Sequence, residues 1–170
     1  GAHAELVGER GKGLRAMFTM VNDARLGVAL QGLSQAEVAC QNAVRYAQER
    51  RQGRALSGGA SDEPVAIAAH PDVRRMLLSM RAFTEAARGL ALWVALQIDV
   101  AGRHPDPAAR ARAEDLLALL TPVIKSHLTD GGGECAHLAL QCFGGYGYVR
   151  DTGVEQFARD VRITPIYEGT

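Results

Sequence analysis

From Leu14 to Arg51 the chain runs without proline, and apolar residues return every three or four positions: Leu14, Met17, Met20, Leu26, Leu33, Ala36, Ala43, Ala47. That spacing gathers them on one face of a helix. At about 1.5 Å per residue the helix would exceed roughly 50 Å. Gly27 and Gly32 interrupt it and point to close helix–helix contact, because glycine is otherwise disfavoured there by ~1 kcal/mol. Arg45, Glu49, Arg50 and Arg51 gather at its C-terminal end, where cations suit the helix dipole.

A second stripe starts behind Pro71, a favoured first-turn residue. It runs through Val73, Met76, Met80, Phe83, Ala87, Val94 and Ile98 to Ala101, with Arg74, Arg75, Arg81, Glu85 and Arg88 on the opposite side. This is the clearest amphipathic pattern in the chain. A third opens on Asp106-Pro107, an N-cap followed by proline, and carries Leu116, Leu117, Leu120, Val123, Ile124 and Leu128. Pro122 should kink or break it. Gly131-Gly132-Gly133 either ends the helix or marks a place where backbone approaches something closely. Helix resumes from Glu134 to Phe143, and a short charged helix follows from Val154 to about Arg159.

The remaining segments are connections. Residues 1–11 read as an extended lead-in, and 51–63 (RQGRALSGGASDE) as a flexible loop. Residues 64–70 read as a short turn before Pro71. Three long helices and a short one, briefly joined, are best buried as an all-α, up-down-up-down four-helix bundle with long helices.

Composition narrows the function classes. With 170 residues the chain can bury a sizeable core. Nineteen basic residues balance nineteen acidic ones, which argues against nucleic acid or an anionic membrane as partner. No apolar run reaches the ~18 residues of a membrane span, and no targeting segment is visible. Cys135 and Cys142, seven apart on one helix, lie about 10 Å from each other, too far for a disulfide. Buried thiols in a reducing, cytoplasmic setting are expected; a mitochondrial location stays open for a longer chain. The five histidines share no ligand spacing, so no metal site is expected.

Chemistry concentrates in QCFGGYGYVRDTGVEQFARDVRITPIYEGT, residues 141–170. Glycines at 144, 145 and 147 let backbone come near a ligand. Glu168, between Tyr167 and Gly169, would have its pKa raised by apolar surroundings, as suits a proton-abstracting base. Gln141, Phe143, Gly144, Gly145, Gly147, Tyr148, then Arg159-Asp160, then Ile166-Tyr167-Glu168-Gly169-Thr170 resemble the end of the acyl-CoA dehydrogenase family.

That resemblance implies the C-terminal helical domain of an FAD-dependent enzyme. Residues 1–11 would be the exit segment of an absent β-domain, and 12–170 the helical bundle. In the family a carboxylate removes the pro-R α-proton of an acyl-CoA thioester while the β-hydrogen leaves as hydride to flavin, giving a trans-2-enoyl-CoA. Glu168 matches that base. Other members carry the glutamate on the first helix, one position before an arginine corresponding to Arg25; here that position is Ala24. Asn22, Arg25 and Gly169 match substrate contacts. Arg50, Gln52, Gln141, Gly144, Gly145 and Thr170 match cofactor contacts, with Arg50, Gln141 and Gly145 reaching the flavin across a subunit boundary.

The resemblance further implies a homo-oligomer, a dimer or dimer of dimers, and electron-transferring flavoprotein or a similar acceptor. An isolated domain would bind FAD poorly and turn over nothing. The family usually continues x-x-F-G after the arginine, whereas this chain has Arg51-Gln52-Gly53-Arg54; that departure resembles a subgroup with an enlarged C-terminal region acting on unusual acyl thioesters. Two alternatives stand beside this reading: an acyl-CoA oxidase or related flavoenzyme of the same fold, and a non-catalytic helical assembly module.

Overall fold

In a computed structural model of the chain, residues 1–55 and 63–168 are described. Much of the expected 51–63 loop, and with it Gly169 and Thr170, lies outside the described residues. Three long helices dominate: α1, Gly13–Glu49; α2, Pro71–Arg103; and α3, Pro107–Phe143. Two short ones follow, α4, Gly145–Tyr148, and α5, Glu155–Arg162. Residues 1–7 have no regular structure and lead through a turn into α1. The short turn expected before Pro71 is a 3-10 turn at Ile67–Ala69. Asp106 caps α3 as expected, its carboxylate accepting from the Ala108 amide at 2.9 Å.

The side-chain pairings set the directions. Glu37 of α1 pairs with Arg88 of α2 at 2.7 Å, Phe83 of α2 lies against Gly131 of α3, and Tyr46 of α1 stacks on Phe143 of α3. Hence α2 is antiparallel to both neighbours and α1 is parallel to α3. The domain is all-α with long packed helices. The fourth element, α5, has only eight residues, and it packs on α3 and α1.

The core between the long helices is rich in small residues. Ala29, Leu33, Ala87, Ala91, Val94, Ile124 and Leu128 fill one cluster. Ala36, Ala39, Ala43, Met76, Met80, Cys135 and Ala139 fill the other. Small side chains let the helices approach until backbone touches backbone. A Cβ on Gly32 would lie 2.6 Å from the Leu128 carbonyl oxygen, and one on Gly132 would lie 2.6 Å from the Gly32 carbonyl oxygen. Gly131 lies beneath the Phe83 ring, 2.1 Å from where its Cβ would be. Gly131 and Gly132 are therefore a contact surface, and α3 does not break at the triplet.

Three expectations need correction. Pro122 does not end α3, which continues through it. The proline and Ala118, whose carbonyl loses its helical donor, are both exposed, so water can satisfy the freed oxygen. The stripe at the start of α1 is not core: Leu14, Met17, Phe18 and Met20 are exposed, left uncovered by the other described elements. And α1 ends at Glu49, with no basic residue in its last turn; Arg50 is the C-cap.

All three cysteines are buried and free. Burial pushes Cys135 from an ordinary 9.0 up to about 12 and Cys142 up to about 11, and it raises Cys40 as well. Among the described residues no helix is long and apolar enough to cross a membrane.

Two outcomes are expected. Gly32→Ala and Gly132→Ala should each destabilise the domain in urea by ~2 kcal/mol or more through overpacking. Gly27→Ala and Gly133→Ala, whose Cβ positions meet nothing within 4 Å, should be neutral or stabilising by up to ~1 kcal/mol. For the thiols, the unfolded chain ionises first as pH rises. The stability their burial confers is therefore complete below about pH 9 and is lost through about 11 to 12. Urea midpoints should fall over that alkaline range, and Cys135→Ala should flatten the fall.

Candidate active site

The sequence-predicted residues separate into two groups at opposite ends of α1. At its C-terminal end the backbone leaves the helix at Arg50, whose amide still donates to the Tyr46 carbonyl at 2.8 Å. The next residues are pinned to the segment before α2. The Gln52 amide donates to Val65, the Val65 amide to Gly53 and the Ile67 amide to Arg50, at 2.9, 3.1 and 2.8 Å. His70 Nε2 lies 2.7 Å from the Gln52 carbonyl oxygen. Gly53 has φ 67°, a left-handed conformation that favours glycine.

Opposite this hairpin, α3 stops at Gly144, with φ 60° and ψ −137°, and the chain turns into α4. Tyr46 and Phe143 stack with ring centroids 4.0 Å apart, joining the ends of α1 and α3. The result is an open cleft of about 830 Å³ lined by Arg50, Gln52, Gln141, Gly144 and Gly145, with Tyr46, His70 and Tyr146. All five described cofactor candidates thus share one cleft. Gly144 and Gly145 have open space where a Cβ would stand, so bare backbone borders the cleft. The exposed Arg50 guanidinium lies 5.6 Å from the centre of the Tyr146 ring and, among the described residues, pairs with no carboxylate. A free guanidinium, open glycine backbone and aromatic faces are a set suited to a phosphate joined to an aromatic base.

The second group lies nearer the other end. Arg25 Nε donates to the Glu168 carbonyl oxygen at 3.1 Å, and its Nη1 donates to Asn22 Oδ1 at 3.3 Å. The Tyr167 hydroxyl bonds to Gln31 Oε1, a second tie from the terminal segment to α1. Asn22, Arg25 and Glu168 are therefore brought together, whereas Gly169 and Thr170 cannot be described. Glu168 is half-buried and has φ 63°. It is the one non-glycine residue with positive φ among those described, a conformation that costs a glutamate about 1 kcal/mol or more. Its surroundings are not purely apolar as expected. Asn22 and Arg25 also line a groove of about 440 Å³ with Leu26, Val94, Leu117 and Thr121.

Lys125 escaped the sequence reading. It lies in the apolar stripe of α3 between Ile124 and Leu128, where a lysine passes for a surface residue. It is 1% exposed, and its Nζ has no hydrogen-bond partner among the described residues. Burial pushes its pKa down; Asp130 and Glu168 oppose that shift, and Arg25 adds to it. His70 and Tyr46 were missed as well, for want of any motif around them.

Comparison with known proteins decides the family. The acyl-CoA dehydrogenase C-terminal domain family matches residues 11–170. The chain belongs to that family. It is 48% identical over 165 residues to 3-methylmercaptopropionyl-CoA dehydrogenase of Ruegeria pomeroyi, covering 97% of this chain and 28% of that protein. It is 32% identical to a butyryl-CoA dehydrogenase of Syntrophomonas wolfei, covering 95% of this chain and 26% of the relative. Among solved structures, butyryl-CoA dehydrogenase from Megasphaera elsdenii superposes with a TM-score of 0.74 at 29% identity, over 96% of this chain and 37% of that one. The chain thus spans little more than a third, at most, of these acyl-CoA dehydrogenases.

The ties from the terminal segment to α1 can be tested on the domain itself. Arg25→Ala should speed amide hydrogen exchange at Ile166 and Tyr167 by about tenfold, the ~1.4 kcal/mol expected for a charged hydrogen bond. Exchange at α2 should be unchanged.

Proposed function

We propose that the complete protein is an FAD-dependent acyl-CoA dehydrogenase and that Glu168 is its base. The observation that carries this reading is that Glu168 meets Arg25, 143 positions away in sequence, while Arg25 and Asn22 line one groove of a chain belonging to this family. The Glu168 carboxylate would take the α-proton of an acyl-CoA thioester. Arg25 holds the backbone of the base, and Asn22 steadies Arg25. The flavin, when bound, supplies the hydride acceptor for the β-hydrogen, and the product is a trans-2-enoyl-CoA.

The cleft at the far end fits FAD's diphosphate and adenosine, with Arg50 on the phosphates and Gln52, Gln141, Gly144 and Gly145 around the nucleoside. Arg25 and Arg50 are separated by about 37 Å of α1, at 1.5 Å per residue. One chain's base and the same chain's cleft are too far apart for one dinucleotide, which favours a flavin shared between subunits. A homo-oligomer, a dimer or dimer of dimers, belongs to this proposal. So does an up-down-up-down four-helix bundle in which the short α5 is the fourth helix, and so does the assignment of residues 1–11 to the exit from a β-domain and 12–170 to the bundle. Gly169 and Thr170 would complete the substrate and flavin contacts beside the base. Electron-transferring flavoprotein or a similar acceptor would reoxidise the enzyme. Three buried free thiols favour a reducing, cytoplasmic setting. The 48% identity to a 3-methylmercaptopropionyl-CoA dehydrogenase makes that short thioester the first to assay.

The test uses the complete flavoenzyme with an acyl-CoA and an artificial acceptor. Glu168→Gln should lower kcat by ~10²–10⁴-fold, the usual contribution of a positioned base, and leave bound flavin intact. Arg50→Ala should instead raise the Kd for FAD about tenfold or more. Unchanged turnover in Glu168→Gln would reject the base and favour a non-catalytic helical module. Oxygen consumption without the acceptor would assign the oxidase chemistry. The 170-residue domain by itself should retain no stoichiometric yellow cofactor.

A further inference from the structure

Glu168 keeps a left-handed backbone at the end of a segment that leaves α5 in tight turns. The Thr164 amide donates to the Val161 carbonyl at 3.0 Å, and the amides of Ile166 and Tyr167 donate to the Ile163 carbonyl at 3.0 and 3.4 Å. Two side chains of α1 then take hold of the segment. The Tyr167 hydroxyl donates to Gln31 Oε1, and Arg25 Nε donates to the Glu168 carbonyl oxygen at 3.1 Å. Residues 25 and 31 lie about 9 Å apart along the helix axis. Along the chain, the Cα of Glu168 falls between the two tied points, and φ there is 63°. A glutamate free to rotate would relax to negative φ. Such a conformation persists only where the structure fixes it from both sides.

We infer that Gln31 is a positioning residue for the base: it holds the Tyr167 hydroxyl while Arg25 holds the Glu168 carbonyl, and together they fix the backbone from which the carboxylate is aimed. This rests on the reading of Glu168 as base. Rotation about the N–Cα bond of residue 168 swings its Cβ, and with it the carboxylate, relative to the preceding peptide. A misplacement of about 1 Å can cost on the order of 100-fold in rate. Arg25 alone ties the far side of that Cα; Gln31 ties the near side. Packing does not call for the Gln31 amide, because Gln31 is exposed and its neighbours Gly32 and Leu33 make the helix contacts. Leucine at this position would suit the helix equally well.

The experiment uses the complete flavoenzyme and compares Gln31→Leu, Gln31→Glu, Tyr167→Phe, the Gln31→Leu/Tyr167→Phe double variant and Glu168→Gln. Gln31→Leu should lower kcat by about tenfold or more, with KM within about twofold of the parent. Its flavin content and Tm should match the parent. The double variant should lose no more than Gln31→Leu does, because both exchanges remove the same hydrogen bond. Gln31→Glu, of equal reach and still an acceptor, should recover most of the lost kcat. Parental kcat in Gln31→Leu, additive losses in the double variant, no recovery in Gln31→Glu, or a Tm that falls along with kcat would each overturn the inference. Should Gln31→Leu not accumulate as holoenzyme, Tyr167→Phe carries the same test from the other side of the bond. If Glu168→Gln retains full turnover, the base reading falls and takes this inference with it. If Glu168→Gln is inactive while Gln31→Leu turns over at the parental rate, only the inference falls.

Discussion

Backbone touches backbone where α1 crosses α3, and the architecture follows from that contact. Gly32 meets the Leu128 carbonyl and Gly132 meets the Gly32 carbonyl, each with less room than a methyl group needs. Two helices that close must have small residues along the seam, which is why Ala36, Ala39 and Ala43 pack with Ala139 in a core with few large side chains. Such a seam gains stability from dispersion and close packing more than from bulk burial. It also fixes the axial register of α1 on α3.

Register matters because both candidate sites are assembled across this one seam. Toward one end it sets Tyr46 on Phe143 and brings Arg50 to Gln141, Gly144 and Gly145. Toward the other it brings Arg25 under the terminal segment. A slip of one helical turn, about 5.4 Å, would undo both. The long helix is thus a rigid spacer between the proposed base and the proposed nucleotide cleft, which would serve different flavins in the proposed oligomer. Its stiffness is the property that a shared site requires.

The helices were legible because their signals are local. Period and proline placed α2 from Pro71, and Asp106-Pro107 marked the start of α3 to the residue. The glycine triplet announced either a break or a close approach, and only a partner helix could choose between them. Pro122 misled for a related reason: a helix tolerates proline when solvent takes the freed carbonyl, and exposure is not written in the neighbouring residues. The exposed start of α1 was hidden because an apolar stripe looks the same whether its own chain covers it or not. For the site, the grouping of Arg50 with Gln141 to Gly145 came from family resemblance, since no period links residues about ninety apart. Lys125 had no local signal at all.

Departures from ordinary folding rules are few among the described residues, and besides the buried, unpartnered Gln35 Oε1 in the middle of α1 there are two. Glu168 holds a left-handed backbone that a glycine would adopt without strain. Lys125 holds a covered charge without a hydrogen-bond partner. Arg25 binds the backbone, not the carboxylate, of Glu168. Elsewhere among the described residues the buried hydroxyls of Thr84, Thr129 and Thr164 are all satisfied by nearby carbonyls. Strain and unpaired charge persist only where the surrounding structure holds them in place, and natural proteins concentrate such sites where chemistry is done. Substituting glycine for the glutamate would relieve the backbone strain and methionine for the lysine would remove the covered charge, and what the first exchange would lose is the carboxylate on which the proposed chemistry depends.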